Sequence, residues 1–155
     1  MSAAWFLFLA IALCVPVIDG VPGKYNVVGE LKCRGYPYNG AFVAFFESDN
    51  FIDDLCAVVK SNSSGYYHST AIEDEIGWPN ELYFYVAHRC DTHKYKCVKR
   101  SLGDQRWTSD LETKEPPHVM ESINLSEEQG EKCDARMDSI IVANRVLEPE
   151  ECYAN

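Results

Sequence analysis

Positive charge is scarce in this chain. Its 14 Lys and Arg stand against 24 Asp and Glu in 155 residues, a formal net charge of -10, and a surface of that sign repels phosphate backbones and anionic headgroups alike. Nucleic acid is therefore not expected as a partner, nor is an electrostatic membrane anchor. Internal repeats and low-complexity tracts are missing, and after the N-terminal segment no apolar run is long enough to span a bilayer. No Gly-x-Ser-x-Gly elbow and no EF-hand spacing occur, so the usual signatures of a serine hydrolase and of a calcium loop are both lacking. What is present, 46% hydrophobic and 25% charged residues, suits one folded domain and excludes disorder throughout.

Residues 3–18 read AAWFLFLAIALCVPVI, apolar without a charge, and give way after Asp19-Gly20 to the polar Val21-Pro22-Gly23-Lys24. The run is interrupted by Pro16 and preceded by no Lys or Arg, which fits a secretory signal peptide over residues 1–20 better than a membrane anchor. The expected localisation is extracellular. Cleavage near Gly20 removes Cys14 and leaves Cys33, Cys56, Cys90, Cys97, Cys133 and Cys152, an even number in an oxidising compartment and hence up to three disulfides. Asn62 and Asn124 head Asn-x-Ser acceptors for N-linked glycans.

The rest of the chain alternates short β-type stretches with turn residues, the pattern of an all-β sandwich or barrel. Strands are expected over 25–33, 41–47, 55–61, 66–71, 82–90, 94–100 and 119–125, separated by segments rich in Gly, Pro, Asn and Ser such as Asn62-Ser-Ser-Gly65. Helical spacing comes close only at 72–76 and in the tail after Cys133. Period-two alternation places Leu82, Phe84, Val86, His88 and Cys90 inward. A histidine so placed is expected to be neutral at physiological pH, because burial disfavours the imidazolium. The stretch Ala41-Phe-Val-Ala-Phe-Phe46 is apolar on both faces and therefore needs a cover beyond the core of a sandwich.

Candidate chemistry is thin. His88, Cys90, His93 and Cys97 are the residue types of a zinc site, but thiols of a secreted chain are ordinarily consumed as disulfides, so no metal is assigned. Asp49, Asp53 and Asp54, and likewise Glu73, Asp74 and Glu75, read as solvated loop carboxylates rather than calcium ligands. No nucleophile with a partner base is found, and no cofactor is implied. Aromatic side chains are the strongest recognition signal: Tyr66, Trp78, Tyr83 and Tyr85 offer a binding surface, whereas Tyr67 is read as core.

Gly29-x-Leu31-x-Cys33-x-Gly35-x-Pro37, Val43-x-Phe45-x-Glu47-x-Asp49, Asp53-Asp-Leu55, Ser61-Asn-Ser-Ser-Gly65-Tyr-Tyr67, Val86-x-His88-x-Cys90, Cys97, Ser122-Ile-Asn-Leu125 and Gly130-Glu-Lys-Cys133 together resemble the nematode transthyretin-like family of secreted proteins, over about residues 27–133. The resemblance implies a transthyretin-like sandwich of seven or eight strands over 21–133, with a C-terminal extension, 134–155, packing on it. It also assigns Cys33, Cys90, Cys97 and Cys133 to the family pattern and leaves Cys56 and Cys152 as extras. In the family register Phe42, Ala44, Phe46, Cys56 and Val58 face outward. A Cys56–Cys152 disulfide would then clamp the segment 137–147 over Phe42 and Phe46, leaving the other four cysteines to pair among themselves. Hydrolase relatives on this fold close with Tyr-Arg-Gly-Ser, whereas this chain ends Glu-Cys-Tyr-Ala-Asn, so an enzyme is not expected. The functional expectation is an extracellular binding protein, a carrier of a small apolar ligand or a cell-surface interaction protein. The alternative is a secreted effector that blocks a protein target through loops such as 76–80.

Overall fold

The computed structural model describes residues 23–48, 52–73, 82–102, 118–120 and 122–147. The expected signal peptide, Trp78 and Cys152 lie outside them, as do Asp49, Asp74 and Glu75. Two sheets are present. The first is built on β1 (Gly23–Cys33), flanked by β2 (Tyr36–Pro37) and β5 (Tyr66–Glu73), with the short β8 (His118–Val119) and β9 (Ile123–Asn124) running parallel to β1. The second has the order β10 (Glu131–Lys132), β7 (Lys96–Ser101), β6 (Leu82–His88), β3 (Phe42–Glu47), β4 (Asp54–Lys60), antiparallel throughout. Among the described residues a single helix, α1 (Ala135–Ala143), follows. The fold is an all-β sandwich with its strands close to those expected; the last expected strand is divided into β8 and β9 around Met120.

The inner faces of the two sheets make one core. Leu82, Phe84 and Val86 of β6 meet Val43 and Phe45 of β3 on one side and Val27, Leu31 and Tyr67 of the first sheet on the other. Tyr67 stands opposite Gly29 across the β1–β5 ladder, and its ring lies where a Cβ on Gly29 would come within 2.4 Å of the phenol oxygen. A glycine in this strand is thus explained by the aromatic ring laid over it.

Turns follow from residues that tolerate positive φ. Arg34 (φ 53) and Gly35 (φ 80) join β1 to β2 in a two-residue hairpin. Gly65 (φ 75) closes the crossing from β4 to β5, where a Cβ would approach the carbonyl oxygen of Leu31 to 2.4 Å. Only glycine fits there without moving backbone.

One expected register is corrected. Phe45 pairs with Ala57 but Phe46 pairs with Leu55, so Cys56 is an extra residue in a β-bulge. The slip turns Leu55 to the outer side and packs Cys56 with the inner core, the reverse of the outward placement expected for Cys56, while Val58 stays outward.

The tail packs on the outer face of the second sheet. Met137 and Ile140 of α1 cluster with Phe42, Ala44, Phe46, Leu55 and Val58. Asp134 caps the helix by accepting from the Met137 N–H at 2.8 Å, and Asn144, left-handed at φ 51, ends it. Three residues later Leu147 exchanges both backbone hydrogen bonds with Val58, at 3.0 and 3.1 Å.

Candidate functional site

Two disulfides tie the sandwich together. Cys33, at the end of β1, pairs with Cys90 just after β6 and so joins one sheet to the other; Cys97 of β7 pairs with Cys133 and holds the start of the tail against the second sheet. Cys56 is also disulfide-bonded. With the other four engaged, its partner lies outside the described residues, and so does the test of a Cys56–Cys152 bond.

These pairings consume the thiols that a zinc site would need. His88 points into the core, half of a T-shaped contact with Tyr38 at 6.4 Å, and its Nδ1 accepts from the Cys90 N–H at 3.2 Å. His93 is exposed on the turn beyond. Burial first, then the nearby Lys96 ammonium, holds the His88 imidazole below its ordinary pKa of 6.5. The unfolded chain takes up this proton near pH 6.5 and the folded chain only at lower pH. Between the two values the unfolded state binds more protons, so stability is complete above 6.5 and falls as pH drops below it. Urea unfolding at pH 7.5, 6.5 and 5.5 is expected to show a falling midpoint, and a His88→Gln variant a flatter profile; equal slopes for both proteins would refute the assignment.

Tyr66, Tyr83 and Tyr85 do not form one surface. Tyr83 is only 4% exposed; it stacks on Phe46 (5.5 Å between centroids), donates to the Asp53 carboxylate and lies under Lys99, whose ammonium sits 3.6 Å from its ring centre. Burial and the Asp53 hydrogen bond push its phenol pKa up, so it stays neutral. Arg136 completes the cluster, pairing with Asp53 at 3.3 Å and with Asp134 at 3.2 Å. Asp53 is thereby engaged with a phenol and a guanidinium. Tyr85 is half-buried beside Tyr83 and Phe46. Tyr83 is therefore corrected from binding surface to part of the face covered by α1 and its arginine, while Tyr85 lines a separate, largely charged pocket with Lys99, Arg100 and Glu128.

Tyr66 is different. It is 45% exposed on β5, in the first sheet, and stands at one wall of an open groove of about 700 Å³. Gly29 and Glu30 of β1, Asn62 and Ser64 of the β4–β5 turn, and Val119, Met120 and Ser122 supply the rest. Val119 is 71% exposed, an apolar side chain that this groove leaves uncovered. At the polar side Glu30 accepts from Lys32 at 2.8 Å. Lys32, with a smaller contribution from Ser122, holds the Glu30 carboxyl below its ordinary pKa, so an ionised carboxylate paired with an ammonium stands at this side of the groove.

The expected glycan acceptors also separate. Asn62 is exposed; its Oδ1 accepts from the N–H groups of Ser64 (2.9 Å) and Tyr66 (3.0 Å). Asn124 is half-buried in β9, with its Nδ2 donating to Glu127 and its Oδ1 accepting from Ser126.

Two five-stranded sheets around one core, stapled by Cys33–Cys90, set the frame for comparison with known proteins. The TTR-52 model of the transthyretin-like family matches residues 28–102, from within β1 to just past β7. Over those residues this chain is similar to the transthyretin-like family. No curated protein matches the chain. Among solved structures, a 9R-lipoxygenase from Cyanothece PCC8801 is similar at 11% identity with a TM-score of 0.43, over 66% of this chain and 16% of that one. In the transthyretin-like region lie most of β1, the β4–β5 turn and β5, which carry Gly29, Glu30, Asn62, Ser64 and Tyr66; Val119, Met120 and Ser122 come from beyond it. Sequence reading found Tyr66 and Asn62 but not Glu30, Val119 or Met120, because nothing local marks a strand pair as meeting a segment about ninety positions away in sequence.

Proposed function

We propose that this protein is a secreted, non-enzymatic member of the transthyretin-like family that carries a small, mainly apolar ligand in the groove beside Tyr66. The observation that carries this reading is the groove of the first sheet, in which Tyr66 and Val119 are exposed, whereas α1 packs over Phe42, Phe46 and Tyr83 of the second sheet and the pocket beside Tyr85 there is lined mainly by charged residues. Apolar walls with a few placed polar groups are the common make-up of a small-molecule site. The ionised Glu30 favours a neutral ligand, or one with a donor or amine at that end, over a carboxylate. Secretion is supported by the N-terminal apolar segment and by an even cysteine count after its removal.

Native mass spectrometry of protein secreted from eukaryotic cells tests the reading directly, through a co-purifying small molecule. As a quantitative check, the neutral dye Nile red is expected to bind the full chain, with roughly tenfold weaker binding in a Tyr66→Ser variant, the order expected for removing one aromatic wall. Tyr85→Ser, on the second sheet and away from this groove, should leave the affinity unchanged. Equal loss in both variants would place the dye elsewhere, and capture of an extracellular protein in place of a small molecule would favour the effector reading.

A further inference from the structure

The groove and the better of the two glycan acceptors are the same place. Asn62 forms part of the groove wall next to Tyr66. Its Oδ1 is held by two backbone N–H groups, from Ser64 and Tyr66, while among the described residues nothing bonds to its Nδ2. The amide is thus fixed by its oxygen and open at its nitrogen, the atom that carries a glycan. At Asn124 that nitrogen is already taken up by Glu127.

Resting on the groove as the ligand site, we propose that an N-linked glycan on Asn62 seats its first N-acetylglucosamine against the exposed ring of Tyr66 and closes the groove, so that glycan occupancy sets how tightly the protein binds. In the modification Asn62 Nδ2 bonds to the anomeric carbon of a lipid-diphosphate oligosaccharide and gives up one proton. The lipid diphosphate leaves with the electron pair of the broken carbon–oxygen bond. It takes place on the emerging chain, before the β4–β5 turn has formed, so the folded geometry does not limit attachment and instead decides where the sugar lies afterwards. The apolar face of the pyranose then meets the Tyr66 ring, an amphipathic surface that offers area at little cost in side-chain freedom. Glu30, across the groove, presents an acceptor to sugar hydroxyls.

The test uses one sequence in two forms. Full-length protein secreted from eukaryotic cells is separated on a lectin column into chains with and without sugar, and peptide mapping assigns the sugar to Asn62. The unglycosylated form is expected to bind Nile red at least tenfold more tightly. Independently of any dye, the Tyr66 ring resonances should differ between the two forms, and the N-acetyl methyl protons should show a ring-current shift and a nuclear Overhauser contact to Tyr66. Equal dye affinity in both forms overturns the gating while leaving the groove as the binding site. Binding by neither form overturns the groove reading, and the gating with it. Identical Tyr66 resonances overturn the seating of the sugar whatever the dye does, and so does an Asn62 that is bare in every secreted chain.

Discussion

Replacing Cys33 and Cys90 together by serine is expected to cost about 4 kcal/mol of unfolding free energy, the chain-entropy value for releasing a loop of this length. The bond closes a span of 57 residues and joins the end of β1 to the end of β6, so its loss frees the two sheets to separate in the unfolded ensemble while leaving every ladder hydrogen bond in place. The midpoint of thermal unfolding should drop on the order of 15 °C for a domain of this size. Urea denaturation of the double variant against the parent, under conditions that keep Cys97–Cys133 oxidised, provides the measurement. A loss below about 1 kcal/mol would mean that residual contacts already hold those ends together in the unfolded chain.

Met137→Ala is expected to cost about 3 kcal/mol, in the range for emptying a fully enclosed large side chain. Met137 is 0% exposed and sits among residues of β3, β4 and β6, so the vacated volume is lined by Phe and Leu that cannot follow it. The helix is nine residues long, too short to persist on its own, and depends on this contact together with Ile140. Amide exchange in α1 should therefore rise before that of β6, and binding of anilinonaphthalene sulfonate should appear as the aromatic face opens. Uniform exchange across both elements would show that tail and sandwich unfold as one unit.

The two results address different layers of the same molecule, and those layers were unequally visible in sequence. Leu82 to Cys90 was legible because alternation is strict and both of its faces are packed: Leu82, Phe84 and Val86 lie in the inner core, Tyr83 and Ala87 in the outer one. The need for a cover over Phe42 and Phe46 was legible for the same reason, since β3 has no polar face to offer water. The bulge at Cys56 was not. Leu55, Cys56, Ala57, Val58 and Val59 are all apolar, so shifting the pairing by one residue changes which side each faces without putting a polar group in the wrong place. Tyr83 misled for a related reason: its alternation correctly put it on the outer face, but whether that face meets water is decided by Met137, Ile140 and Arg136, more than fifty residues on. The groove is the least legible feature, because Gly29, Tyr66 and Val119 become neighbours only once β1 lies between β5 and β8.

The backbone exchange between Leu147 and Val58 has a further consequence for how copies of this chain behave toward one another. The rim strand of a sheet offers unpaired N–H and C=O groups that can template a strand from another molecule. On β4 that row is occupied at Val58 by the chain's own tail. Strand addition at β4 therefore requires the tail to lift first, and whatever fastens α1 to the second sheet, Cys97–Cys133 included, also guards the protein against edge-to-edge association.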